Sequence, residues 1–77
     1  HSHDMHESRA QYRKAAAELE HRRSALETAR RARDRAKRLH ELKAGSLADL
    51  EQAEAAVLAA QSDLSAADAD LSRARLH

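Results

Sequence analysis

Apolar positions in the second half of the chain recur on a seven-residue grid. Leu50, Val57, Leu64 and Leu71 are each followed three positions later by Ala53, Ala60, Ala67 and Ala74. Side chains in this three-then-four spacing form one stripe along a helix, so the pattern predicts a helix over about residues 47–76 that lies against another helix. The first half of the chain supplies a partner. Read backward from Gly45, the only glycine, it offers Leu39, Ala36, Ala32, Ala29, Leu26, Leu19, Ala15 and Tyr12. If the chain doubles back at Gly45, facing residues have numbers summing to about 89 or 90, because antiparallel helices of equal rise retrace each other's path. Leu50 is then expected opposite Leu39, Ala53 opposite Ala36, Ala60 opposite Ala29, Leu64 opposite Leu26 and Leu71 opposite Leu19. Val57 falls opposite Ala32.

Local signals agree with that division. Ser2 is placed to cap the first helix, with Asp4 and Glu7 near the positive end of its dipole. This helix is predicted over about residues 3–43. Gly45 is the expected left-handed stop, and Ser46 with Asp49 forms a Ser-x-x-Asp start signal, which leaves a turn of about 44–46. The predicted fold is all-α: two long antiparallel helices in one coiled-coil hairpin spanning residues 1–77, helix 1 longer than helix 2. Residues 1–11 find no partner within the hairpin, yet Met5, Tyr12, Leu19 and Leu26 carry the stripe into that overhang at seven-residue steps. The hairpin is therefore expected to be a fragment of a larger protein, whose remaining sequence, or another copy of the chain, covers the overhang.

Composition narrows the function classes. With no Cys, Pro, Phe or Trp, one Tyr and one Met in 77 residues, there is too little bulk for a compact core and nothing to interrupt a long helix. No run approaches the ~20 apolar residues that cross a bilayer, so direct membrane insertion by this segment is not expected. A two-helix rod has little concavity in which to exclude water. With no Gly-rich phosphate loop and no Cys nucleophile either, a non-enzyme without cofactors is expected.

Charge is distributed unevenly. Residues 9–43 hold 12 Lys or Arg against 5 Asp or Glu, whereas residues 46–77 hold 2 against 6. A basic arm and an acidic arm favour pairing with each other. The register sets Arg38 near Glu51, Arg35 near Glu54 and Arg22 near Asp68, with the stem of Arg22 covering Ala67. The basic stretch 22–38 also suggests a helical arm tracking nucleic-acid phosphates. Its interruption by the alanine stripe, the lack of aromatic stacking residues and the acidic helix alongside argue against that. A generic dimerising coiled coil is the other alternative. His1, His3 and His6 gather near Asp4 and Glu7, and a histidine third from a free amino terminus suits copper or nickel. Chain termini collect such clusters readily, and no metal site is assigned. His21, His40 and His77 read as surface residues.

The turn carries a more specific pattern: Arg35, three residues, Leu39, six residues, Ser46, then Leu47, Ala48, Asp49, Leu50, Glu51, Gln52 and Ala53. This Arg-x3-Leu-x6-Ser spacing across the end of a helical hairpin resembles the α-hairpin of HlyD-type periplasmic adaptor proteins, the membrane fusion proteins of tripartite efflux pumps and secretion systems. Relatives often have glycine three positions before the serine and an aliphatic residue just before it; here Lys43 and Gly45 occupy those places. Ser2, Asp4, Met5, Ser8, Arg9 and Tyr12 fall at the spacing of the Ser-Pro-Glu-Leu-x-x-Ala-Gln-x-x-Tyr stretch of heavy-metal efflux adaptors, with His3 in place of proline.

The resemblance implies a hairpin projecting from a lipoyl-like domain, its tip meeting a TolC-type outer-membrane exit duct. Arg35, Leu39 and Ser46 would be the duct-contacting residues. It further implies an inner-membrane transporter reached through other domains, neighbouring adaptor subunits packed side by side, and a location in the periplasm of a Gram-negative bacterium. Each of the three tip residues also has a plain structural explanation. Ser46 can cap a helix, Leu39 can face Leu50, and Arg35 can pair with Glu54. Their joint spacing carries the functional expectation.

Overall fold

The computed structural model describes the backbone of residues 2–75 and the side chains of residues 7–75. Two helices, α1 (Ser2–Glu41) and α2 (Leu47–Arg75), pack against each other as a rod 63 Å long and 13 by 11 Å across. The chain is a helical hairpin with the longer helix first. Ser2, Asp4, Met5, His3 and His6 fall among residues whose side chains are not described. His1, Leu76 and His77 lie outside the described residues altogether.

Every position of the α2 stripe is covered. Val57, Ala67 and Leu71 are buried, while Leu50, Ala53, Ala60, Leu64 and Ala74 are half-buried. On α1, Leu19 and Leu26 are buried, and Ala15, Ala29, Ala32 and Ala36 are half-buried. Leu19 forms the main apolar cluster with Ala67 and Leu71, and Ala15, Ala16 and Leu64 pack around it. This cluster sits toward the open end of the hairpin. Beyond Leu26 and Val57, toward the turn, no described side chain is fully buried. Packing is thus strongest far from the turn, and the turn half rests on half-buried residues, mostly alanines with Leu50.

The stripe on α1 departs from the expected set near the turn. Arg33 and His40 are half-buried, whereas Leu39 is 48 % exposed. Continuing the three-four rhythm from Leu26 through Ala29 arrives at Arg33, Ala36 and His40, so Arg33 enters the seam beside the expected Ala32, and His40 takes the place expected for Leu39. Ala32 shares the seam by its small size. Leu39 is displaced to one flank and does not bury against Leu50. Tyr12, at the other end, is also partly exposed, at 39 %.

Charge pairing departs as well. The expected Arg22–Asp68 pair does not form; the Arg22 guanidinium reaches Glu18 at 2.8 Å and Asp63 at 3.7 Å. The reason is the side of the seam on which each acid lies. Asp68 lines the flank with Arg23 and Ser65, while Asp63 and Asp70 line the opposite flank with Glu18 and Arg22. The expected Arg38–Glu51 and Arg35–Glu54 pairs are likewise missing among the described residues. The remaining pairs among the described residues are Glu20–Arg23, Glu27–Arg31, Arg33–Asp34 and Asp70–Arg73, all within one helix and exposed apart from the half-buried Arg33. Exposed pairs of this kind contribute little, about 0–1 kcal/mol each, so apolar contact holds the arms together.

Leu19→Ala and Leu71→Ala are each expected to cost about 2–4 kcal/mol, and Leu58→Ala, at a largely exposed position, less than ~0.5 kcal/mol. Urea melts followed by far-UV circular dichroism would rank them.

Candidate interaction surface at the hairpin tip

The turn occupies residues 42–46 and is built as a helix stop followed at once by a helix start. Lys43 donates its backbone N–H to the His40 carbonyl at 2.9 Å, and Ala44 donates to the Leu39 carbonyl at 2.7 Å. These two bonds form a Schellman closure, with Leu42 as the C-cap and Lys43 as the residue that follows it. Lys43 accordingly has φ 60°. The left-handed residue is therefore Lys43 and not Gly45, which has no positive φ. The closure also draws Leu42 and Lys43 out of the expected helix, so the turn is longer than the expected 44–46.

Gly45 is needed for a different reason. Its N–H donates to the Leu39 carbonyl at 3.0 Å, and a Cβ placed on it would come 2.8 Å from the Cβ of Leu39. The backbone crosses directly over α1, and only a residue without a side chain fits without displacement. His40 fastens the same crossing, since its Nδ1 lies 3.2 Å from the Gly45 carbonyl oxygen and donates to it. His40 was expected on the surface; its seam position turns the ring under the turn. Ser46 then starts α2. Its hydroxyl oxygen accepts the Asp49 N–H at 3.0 Å, and its carbonyl accepts the Leu50 N–H at 3.2 Å.

These bonds fix what the tip presents. Arg35 and Ser46 are exposed, and Leu39 is anchored at its Cβ beneath Gly45 while its outer part stays open to solvent. Arg35 has no ion pair or side-chain hydrogen bond among the described residues. Arg35 and Leu39 are four apart on α1 and share a face; Ser46 sits across the turn.

Two further residues join this surface. Leu42 is 75 % exposed and Leu47 is 54 % exposed, one on each side of the turn. Both lie off the seam, so a search for interface residues passes over them. The signal that finds them is their failure to match the stripe of either helix while standing next to the turn. Three exposed leucines within nine positions, where the other large exposed aliphatic among the described residues is Leu58, concentrate apolar surface at one end.

The rest of the rod offers less. Among the described residues no group of three His, Cys, Asp or Glu side chains could hold a metal ion, and His1, His3 and His6 lie outside the described side chains. Among the described residues no helix is long and apolar enough to cross a membrane. No family model, curated protein or solved structure matches the chain.

The left-handed lysine makes the tip improvable. Lys43→Gly should stabilise the hairpin by roughly 0.5–1 kcal/mol, the strain relieved less the added chain entropy. Gly45→Ala should destabilise it, and Ser46→Ala should cost about 1 kcal/mol through loss of the cap. Thermal melting of the three variants tests the turn geometry directly.

Proposed function

We propose that this hairpin is the α-helical spacer of a periplasmic adaptor protein, one that links an inner-membrane efflux transporter to a TolC-type exit duct and touches the duct with its tip. The observation that carries the reading is the tip itself. Arg35, Leu39 and Ser46, the three positions singled out by the family spacing, stand at the closed end of a rod, and Arg35 and Leu39 remain largely uncommitted to the hairpin's own packing. Lys43 adds support. It takes the left-handed conformation at the position where relatives often carry glycine, so this turn has the backbone shape that glycine would favour there.

The mechanism is recognition at a distance. A rod 63 Å long holds its contact residues well away from whatever domain carries the open end. The exposed leucines supply apolar contact, and Arg35 supplies a directional donor set for a carboxylate or carbonyl groups on the duct. No catalysis is required of this segment, and neither a metal nor a cofactor enters the reading. Heavy-metal export is the subclass suggested by the start of the chain. A helical arm for nucleic acid remains the competing reading, since Arg30, Arg35, Lys37 and Arg38 form no ion pairs among the described residues.

Arg35→Asp should abolish export by the full protein while leaving thermal melting unchanged, because the side chain makes no pair within the hairpin. Ser46→Asp is the matching change at the cap, since aspartate still accepts the Asp49 N–H. Ser46→Arg would remove the cap as well as the proposed contact. Normal export by Arg35→Asp would sink the tip assignment. Micromolar binding of duplex DNA or structured RNA that falls steeply with added salt would favour the nucleic-acid arm instead.

A further inference from the structure

Beyond Leu26, α1 offers two seams to α2. The one in use runs through Ala29, Arg33, Ala36 and His40. The other runs through Ala29, Ala32, Ala36 and Leu39, at the same three-four spacing and apolar at every step. Ala29 and Ala36 belong to both. The two seams differ by a rotation of α1 about its own axis of about 50°, half the angle between successive residues of a helix.

At one level the structure already lies between them. Ala32 and Arg33 are both half-buried, so α2 meets the boundary of the two seams there. Nearer the turn the choice is made: His40 is half-buried and donates to the Gly45 carbonyl, while Leu39 is 48 % exposed. A hydrogen bond thus stands against a leucine left partly in water, two effects of similar size that favour opposite seams. Toward the open end the choice vanishes. Leu19 and Leu26 are buried there, and the alternatives beside them are Glu18 and Ala25. The acidic helix does not discriminate, since Leu50, Ala53, Val57 and Ala60 offer apolar contact to either seam. Shape offers little resistance, because Ala29, Ala36, Ala53 and Ala60 face one another with methyl groups and no long side chain has to be unseated.

We propose that the turn half of this hairpin is a two-position device, in which α1 beyond Leu26 rotates between the observed seam and a second one that buries Leu39 against Leu50. The first position presents Leu39 at the tip. The second withdraws it and turns Arg33 and His40 out to solvent. The register of the two helices is the same in both, because Ala29 and Ala36 serve each seam. Gly45 accommodates the rotation, since the residue that crosses Leu39 has no side chain to obstruct it. Packed interfaces of this kind settle into discrete arrangements and do not deform continuously. A partner that grips the exposed Leu39 binds only the first position and so selects it from the pair, and burial of Leu39 removes the contact. The inference goes beyond the adaptor reading and does not rest on it, because any partner at the tip meets the same two positions.

Nuclear magnetic resonance of the 77-residue chain with isotope-labelled leucine and valine methyls provides the test. Relaxation dispersion and saturation transfer detect a minor state that exchanges in microseconds to milliseconds. Leu39, Leu50 and Val57 should exchange with one common minor state populated at about 1–10 %, while Leu19 and Leu71 should not. Amides of residues 33–41 should keep helical shifts in that state. His40→Lys removes the bond to Gly45 and should raise the minor population by about fivefold. Leu39→Gln should abolish the exchange at Leu50 and Val57, because the second seam then has no leucine to bury. Flat profiles at all three residues, random-coil shifts in the minor state, an unchanged population in His40→Lys, or exchange that survives Leu39→Gln would each overturn the device.

Discussion

The close passage of Gly45 over Leu39 is the constraint on which the remainder of this hairpin depends. A Cβ at position 45 would collide with that of Leu39, so the glycine fixes where the chain can cross α1. The crossing point then sets the register of all 29 residues of α2. Two hydrogen bonds to the Leu39 carbonyl, the bond from His40 to the Gly45 carbonyl and the cap from Ser46 hold the crossing in place. A shift by a single residue would carry the leucines of α2 off the seam.

Register and stability are supplied by opposite ends of the rod. The Leu19, Ala67 and Leu71 cluster lies toward the open end, whereas the half nearest the turn has alanine, Arg33 and His40 in its seam. Hydrogen-bonded turn geometry compensates there for thin apolar packing. One consequence is that leucines near the turn are free for other uses. Leu39, Leu42 and Leu47 contribute little to the seam, and their exposure gives the tip its apolar character. An adaptor contact would draw on that surface without loosening the hairpin that presents it.

Electrostatics has a lesser structural role than the contrast between a basic and an acidic arm suggests. Among the described residues one ion pair crosses between the helices, Arg22 with Asp63, and the others join residues of the same helix or adjacent positions. Opposite charge on the two arms favours their association in a general way, but each side chain settles on the neighbour that its flank provides. Arg30, Arg35, Lys37 and Arg38 consequently stay available on the surface.

The hairpin itself was legible in the sequence because it depends on periodicity and on one glycine, both of which are one-dimensional. The α2 stripe, the division near Gly45 and the Ser46 cap follow from spacing alone. The Arg-x3-Leu-x6-Ser pattern could likewise be read directly. What only the tertiary structure decided is that His40, and not Leu39, enters the seam, and that Arg33 joins Ala32 there. Either neighbour satisfies a helical stripe, so spacing alone does not select between them. The same holds for Lys43, left-handed because the Schellman closure falls there, and for Gly45, required by a clash with a residue six positions earlier. Sequence spacing identifies a helix face, but which flank of that face meets the partner arm is a three-dimensional property. That is why Asp63, and not Asp68, receives Arg22.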